Sequence, residues 1–147
     1  MRDLLELQAG QVAFISGLMS GFSLSVAVHV LRSGIRGKVA QLVFVLFLIA
    51  SLMFLVALYV DVRLTIELAG FKTLPDNVVK DIVMIRNLGT LSATVALLMF
   101  IVATGLLGWI ATPATGVITT LIGGGVLYTF WYLWTNINSI SLMLQKL

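Results

Sequence analysis

The stretch VAQLVFVLFLIASLMFLVALYV, residues 39–60, decides the fold. It contains no Asp, Glu, Lys or Arg, and it is long enough as an α-helix to cross a hydrocarbon layer of about 30 Å, which takes ~20 apolar residues. No water satisfies the backbone inside such a layer, so the segment must close its own hydrogen bonds as a helix. Working outward, Gln8–Leu31 and Asn87–Gln145 are equally free of Asp, Glu, Lys and Arg. They supply three further spans, about 10–31, 88–111 and 114–134. The last two are divided at Thr112-Pro113, because proline cannot continue a helix interior. The composition agrees: 60% of the 147 residues are hydrophobic and 10% charged, where soluble domains carry about 25% charged residues. The expectation is one all-α domain over residues 1–147, an integral membrane protein of four transmembrane helices that associates with its own copies.

The connections carry the charge. The first loop, Arg32 to Lys38, is short and holds three basic residues. The second is longer. Ala69-Gly70 reads as a helix end with a glycine cap, and Leu74-Pro75-Asp76-Asn77 as a helix start. Helices two and three are therefore expected to overshoot the membrane as a hairpin over about 61–87. Asp61, Arg63, Glu67, Lys80, Asp81 and Arg86 would form a solvated, mutually compensating face on it. An even number of spans puts both termini and this hairpin on one side, with Arg2, Arg63, Lys72, Lys80, Arg86 and Lys146 against Arg32, Arg36 and Lys38 on the other. The positive-inside rule then places the termini in the cytosol of a multi-pass cell-membrane protein. Tyr128, Phe130, Trp131, Tyr132 and Trp134 fall where aromatic rings meet headgroups at the end of the fourth span.

The first span has the most unusual pattern. Ala13, Gly17, Gly21, Ser25 and His29 follow one another at four-residue spacing, flanked by Ser16 and Ser20. On a helix such positions share a face. Two readings stand side by side. Gly17 and Gly21, spaced as GxxxG, would let a neighbouring backbone approach closely, with serines bonding across the contact. Alternatively the same face lines an aqueous pathway: small side chains keep it open, hydroxyls contact a partly dehydrated ion, and His29 constricts it. An ionisable group within a span points to function by default.

The segment Ser20-Gly21-Phe22-Ser23-Leu24-Ser25-Val26-Ala27-Val28-His29-Val30 resembles the pore helix of the Orai calcium channels. In that family a Ser-Gly-Phe triplet precedes, at the same spacing, a Val-Glu-Val triplet whose glutamate forms the selectivity ring. The four-helix topology, the short linkers and the overshooting hairpin are similar too. The resemblance implies that Gly21, Ser25 and His29 face a pore axis and that the termini are cytosolic. His29 stands in the place of the family's glutamate, and Arg32, Arg36 and Lys38 follow it where the family gathers acids. Such a mouth suits anions or unselective flow better than calcium.

Enzymatic chemistry needs converging acids, bases or metal ligands. All six acids lie in the N-terminus or loops, His29 is the single histidine, and there is no cysteine. No catalytic residue, metal site or cofactor is therefore expected. Gly123-Gly124-Gly125 lacks the Gly-Lys-Ser/Thr ending of a phosphate loop and reads as a place of close helix packing or a bend. Thr119 and Thr120 would satisfy the backbone groups freed there. No basic surface suits nucleic acid. Two functions are expected of such a chain. One is an oligomeric pore whose first helix lines the ion path, a membrane-disrupting effector being its variant. The other is a small anchor or regulatory subunit that docks a partner protein through the 61–87 hairpin.

Overall fold

The computed structural model describes residues 2–34, 37–69 and 76–144, with side chains described over 11–34, 37–66 and 81–136. It is all-helical. Four helices follow in order: α1 (Arg2–Arg32), α2 (Lys38–Ala69), α3 (Asp76–Ala111) and α4 (Pro113–Leu144). Each contains a stretch long and apolar enough to cross a membrane, at Gln11–Arg32, Lys38–Ile66, Asp81–Ala111 and Pro113–Asn136. Together they suggest a multi-pass membrane protein.

The helices are longer than a bilayer requires. At 31 to 36 residues each they measure roughly 45–55 Å by the 1.5 Å rise, against about 30 Å of hydrocarbon. The links between α1 and α2 and between α3 and α4 are short, and the termini and the α2–α3 connection lie at the opposite end of the row. α2 stops at Ala69 and α3 starts at Asp76. The turn expected over 70–75 lies outside the described residues. At the short-loop end, Gly34 (φ 82°) and Gly37 (φ 93°) take the left-handed conformation that frees the chain from α1 and feeds α2. α4 begins at Pro113, where the missing N–H costs nothing. Thr112 and Thr115 cap it reciprocally: each hydroxyl oxygen accepts the other residue's N–H at 3.2 Å.

Packing follows a seven-residue rhythm. On α2 the buried residues Ala40, Val43, Phe47, Ala50, Phe54, Ala57 and Asp61 alternate steps of three and four, with buried Ser51 beside Ala50. So do Ser16, Ser20, Ser23, Ala27 and Val30 on α1. This is the repeat of left-handed helix packing. α1 packs on α2, α2 on α3 and α3 on α4, and among the described residues no non-neighbouring pair packs along its length. The result is an open row. Phe100 of α3 crosses it, with ring centroids 5.5 Å from Phe47 in an edge-on contact and 6.2 Å from Phe22.

α4 is held by one edge: 6% of its span is buried, against 33% of the α2 span. Glycine and threonine make that edge. Thr119 donates to the Gly105 carbonyl at 2.8 Å, Thr115 to the Gly108 carbonyl at 2.8 Å, and the Trp109 indole N–H to Thr120 Oγ1 at 3.0 Å. Of the two threonines expected to serve α4's own backbone near the glycine triplet, Thr119 bonds the α4 carbonyls of Thr115 and Gly116 one turn back as well as α3, and Thr120 bonds α3. α4 is helical straight through Gly123-Gly124-Gly125.

Candidate functional site

α1 carries two faces, and geometry separates them. Steps of four residues advance a helix by about 400°, so a strict four-residue stripe rotates by about 40° at each step. Ala13 and Gly17 accordingly sit half-buried near the seam with α2, where a Cβ on Gly17 would lie 3.6 Å from Leu58 Cδ2. Gly21, Ser25 and His29 have rotated outward and are exposed, and a Cβ on Gly21 would meet nothing within 4 Å. Ser16 and Ser20, placed by the spacing at the flank, are buried, and so is Ser23, which the stripe does not include.

The contact between α1 and α2 satisfies its own polar groups. Ser20 Oγ donates to the Ser51 carbonyl and Ser51 Oγ to the Ser20 carbonyl, both at 3.0 Å. Ser23 Oγ donates to the Met19 carbonyl one turn back at 2.7 Å. The outward face differs. Its straight line, again in steps of four and three, is Phe14, Leu18, Gly21, Ser25, Val28 and Arg32, all exposed, with His29 beside it. At the short-loop end the line opens into a groove of about 430 Å³ lined by Gly21, Leu24, Ser25, Val28, His29 and Arg32. Among the described residues the Ser25 hydroxyl, the His29 imidazole and the Arg32 guanidinium have no hydrogen-bond partner. Phe14, Leu18, Val28 and Arg32 escape a search for four-residue spacing. The seven-residue rhythm would have found them.

At the fourth helix, a Cβ on Gly123 would lie 3.6 Å from the Ile101 carbonyl oxygen and 3.7 Å from Gly105 Cα, while Gly124 and Gly125 would meet nothing within 4 Å. On the α2–α3 segment expected to overshoot, the face expected to be solvated is not uniform. Asp61 is buried at 8% exposure, because it continues the heptad of Phe54 and Ala57 into the seam with α3, where the charge of Arg86 acts on it. Arg63 and Asp81 are exposed as expected, and Arg86 is half-buried. The side chains of Glu67 and Lys80 lie outside the described residues. No group of three or more His, Cys, Asp or Glu that could hold a metal ion occurs among the described residues.

Comparison with family models, with curated proteins and with solved structures finds no match to this chain. The resemblance to the Orai channels therefore rests on the quoted α1 residues and the order of helices and links.

Proposed function

We propose that this chain forms a homo-oligomeric membrane pore in which the outward face of α1 lines the ion pathway, with both termini in the cytosol. One observation carries the reading. The Gly21–Ser25–His29 face is left uncovered by the chain's own helices, and its hydroxyl and imidazole are unpartnered among the described residues. Facing lipid, such groups cost free energy. A ring of copies around water, or a tight contact between copies, removes that cost. Small side chains at Gly21 and Ser25 leave room on the axis, and Phe14 and Leu18 below them would form an apolar neck. The resemblance to the Orai pore helix implies a pore-facing position for the same three residues, which supports the reading.

The experiment is reconstitution of the purified chain in planar bilayers. A Cβ on Gly21 would meet nothing within 4 Å, so Gly21→Leu is expected to keep the fold while conductance falls severely. His29→Ala changes the conductance. Wild-type currents that neither substitution alters contradict the reading. Collapse of membrane potential on induced expression is the cellular counterpart, and would fit a membrane-disrupting effector.

A second reading, a membrane anchor or regulatory subunit, is supported by α4, most of whose span is uncovered by the rest of the chain. The helical extensions beyond the bilayer would then dock the partner. Mass measurement after mild detergent extraction separates the two, through a ring of identical subunits or a stoichiometric foreign protein.

A further inference from the structure

Arg32 closes the outward line of α1. It stands seven residues beyond Ser25, two turns along the same face, and it lines the same groove as Gly21, Ser25 and His29. Lys38 opens α2 at the same end of the row, and Arg36 lies between them in sequence. No acid accompanies them. The six acids are Asp3, Glu6, Asp61, Glu67, Asp76 and Asp81. The antiparallel row sends all of them to the opposite end: Glu6 is about 39 Å from Arg32 along α1, and Asp61 about 35 Å from Lys38 along α2. Both distances are several times the roughly 8 Å over which charges act through physiological salt. The formal charge of +3 is thus the charge of the short-loop end, since the other end carries six bases against six acids.

The groove also offers the wrong chemistry to a cation. The α1 carbonyls along it are engaged within the helix, and the side chains contribute a hydroxyl, an imidazole and a guanidinium, the last a donor only. Donor hydrogens and fixed positive charge replace the hydration of an anion. A cation is held by rings of carbonyls or carboxylates, and the groove offers it one neutral oxygen per copy, the Ser25 hydroxyl, beside a fixed positive charge. The far end of α1 carries both signs, Arg2 with Asp3 and Glu6, and imposes no strong preference of its own.

We infer that the α1 pathway passes small anions in preference to cations, with Arg32 setting the sign. The inference rests on the pore reading above and names its permeant class. The test is the reversal potential of the reconstituted full-length chain in neutral phosphatidylcholine bilayers under a KCl gradient. Wild type is expected to reverse near the chloride equilibrium potential. Arg32→Glu is expected to lower the chloride-to-potassium permeability ratio at least about tenfold, the scale on which charged clefts concentrate counter-ions. Arg32→Gln falls between them, and Lys38→Glu shifts the ratio in the same direction if Arg32→Glu cannot be folded. Wild-type reversal near the potassium potential overturns the inference and leaves the pore standing. A chloride-selective current indifferent to Arg32→Glu, Arg32→Gln and Lys38→Glu overturns the role given to this charge. Absence of any current overturns the pore and the inference together.

Discussion

Ser20 and Ser51 hold α1 to α2 by bonding each other's carbonyls, their hydroxyl oxygens 3.3 Å apart. Both are buried, with exposures of 4% and 1%, so neither hydroxyl has water as an alternative. Interhelical bonds of this kind contribute about 0.6 kcal/mol on average and up to ~1.7. Ser20→Ala is expected to lower stability by an amount in that range, and Ser25→Ala, on the uncovered face, to leave a single chain unchanged. Reversible unfolding in mixed detergent micelles measures both. The pair also shows where reading residues by type and spacing stops. Small residues occur on α1 in two interleaved sets, and composition does not say which one meets α2. The partners on α2 decide it: Ser51, Ala50 and Ala57 fit the serine set, leaving Gly21, Ser25 and His29 outside. Asp61 is a similar case. A loop acid reads as solvated until the α2 heptad is followed to its end, where the position proves buried.

Among the elements, the α3–α4 hairpin depends most on the absence of side chains. A Cβ on Gly108 would meet Thr119 Oγ1 and lie 2.7 Å from the Thr115 carbonyl oxygen, and one on Gly116 would lie 2.5 Å from the Trp109 ring. Alanine at Gly108 presses on the α4 backbone and alanine at Gly116 displaces the Trp109 ring, and overpacking of this kind costs about 1–3 kcal/mol. Gly124 and Gly125 have open space around them, so alanine there is expected to be neutral or to stabilise by up to about 1 kcal/mol through helix propensity. Thermal denaturation of the four variants in detergent tests the contrast. The helices themselves were legible from hydropathy, because a backbone in hydrocarbon has few ways to satisfy itself. Their full length was not. Hydropathy marks the part that needs lipid, whereas α1 and α4 run on into more polar sequence with nothing to break them. Which glycine of the triplet touches α3 was equally hidden, since it depends on the register of α4 against Gly105.

The whole molecule is a row with two free ends. Among the described residues α1 and α4 do not pack along each other, so the row is not closed as a four-helix bundle would be. One end presents the polar line of α1, the other the nearly bare α4. Its charge is divided as well, purely basic at the short loops and mixed beyond the opposite ends of the spans. Neither feature follows from the order of spans, because lipid and protein interior are equally apolar and hydropathy carries no record of which helix meets which. The central claim is that the uncovered face of α1 meets the same face of other copies. The chain has no cysteine, so single cysteines can be introduced at Ser25, on that face, and at Ser23, fully buried within the chain's own packing. Oxidative cross-linking in native membranes is predicted to yield disulfide-linked dimers from Ser25→Cys and none from Ser23→Cys. A Ser25→Cys chain that stays monomeric under oxidation that cross-links a cysteine placed on the outer face of α4 would contradict the account.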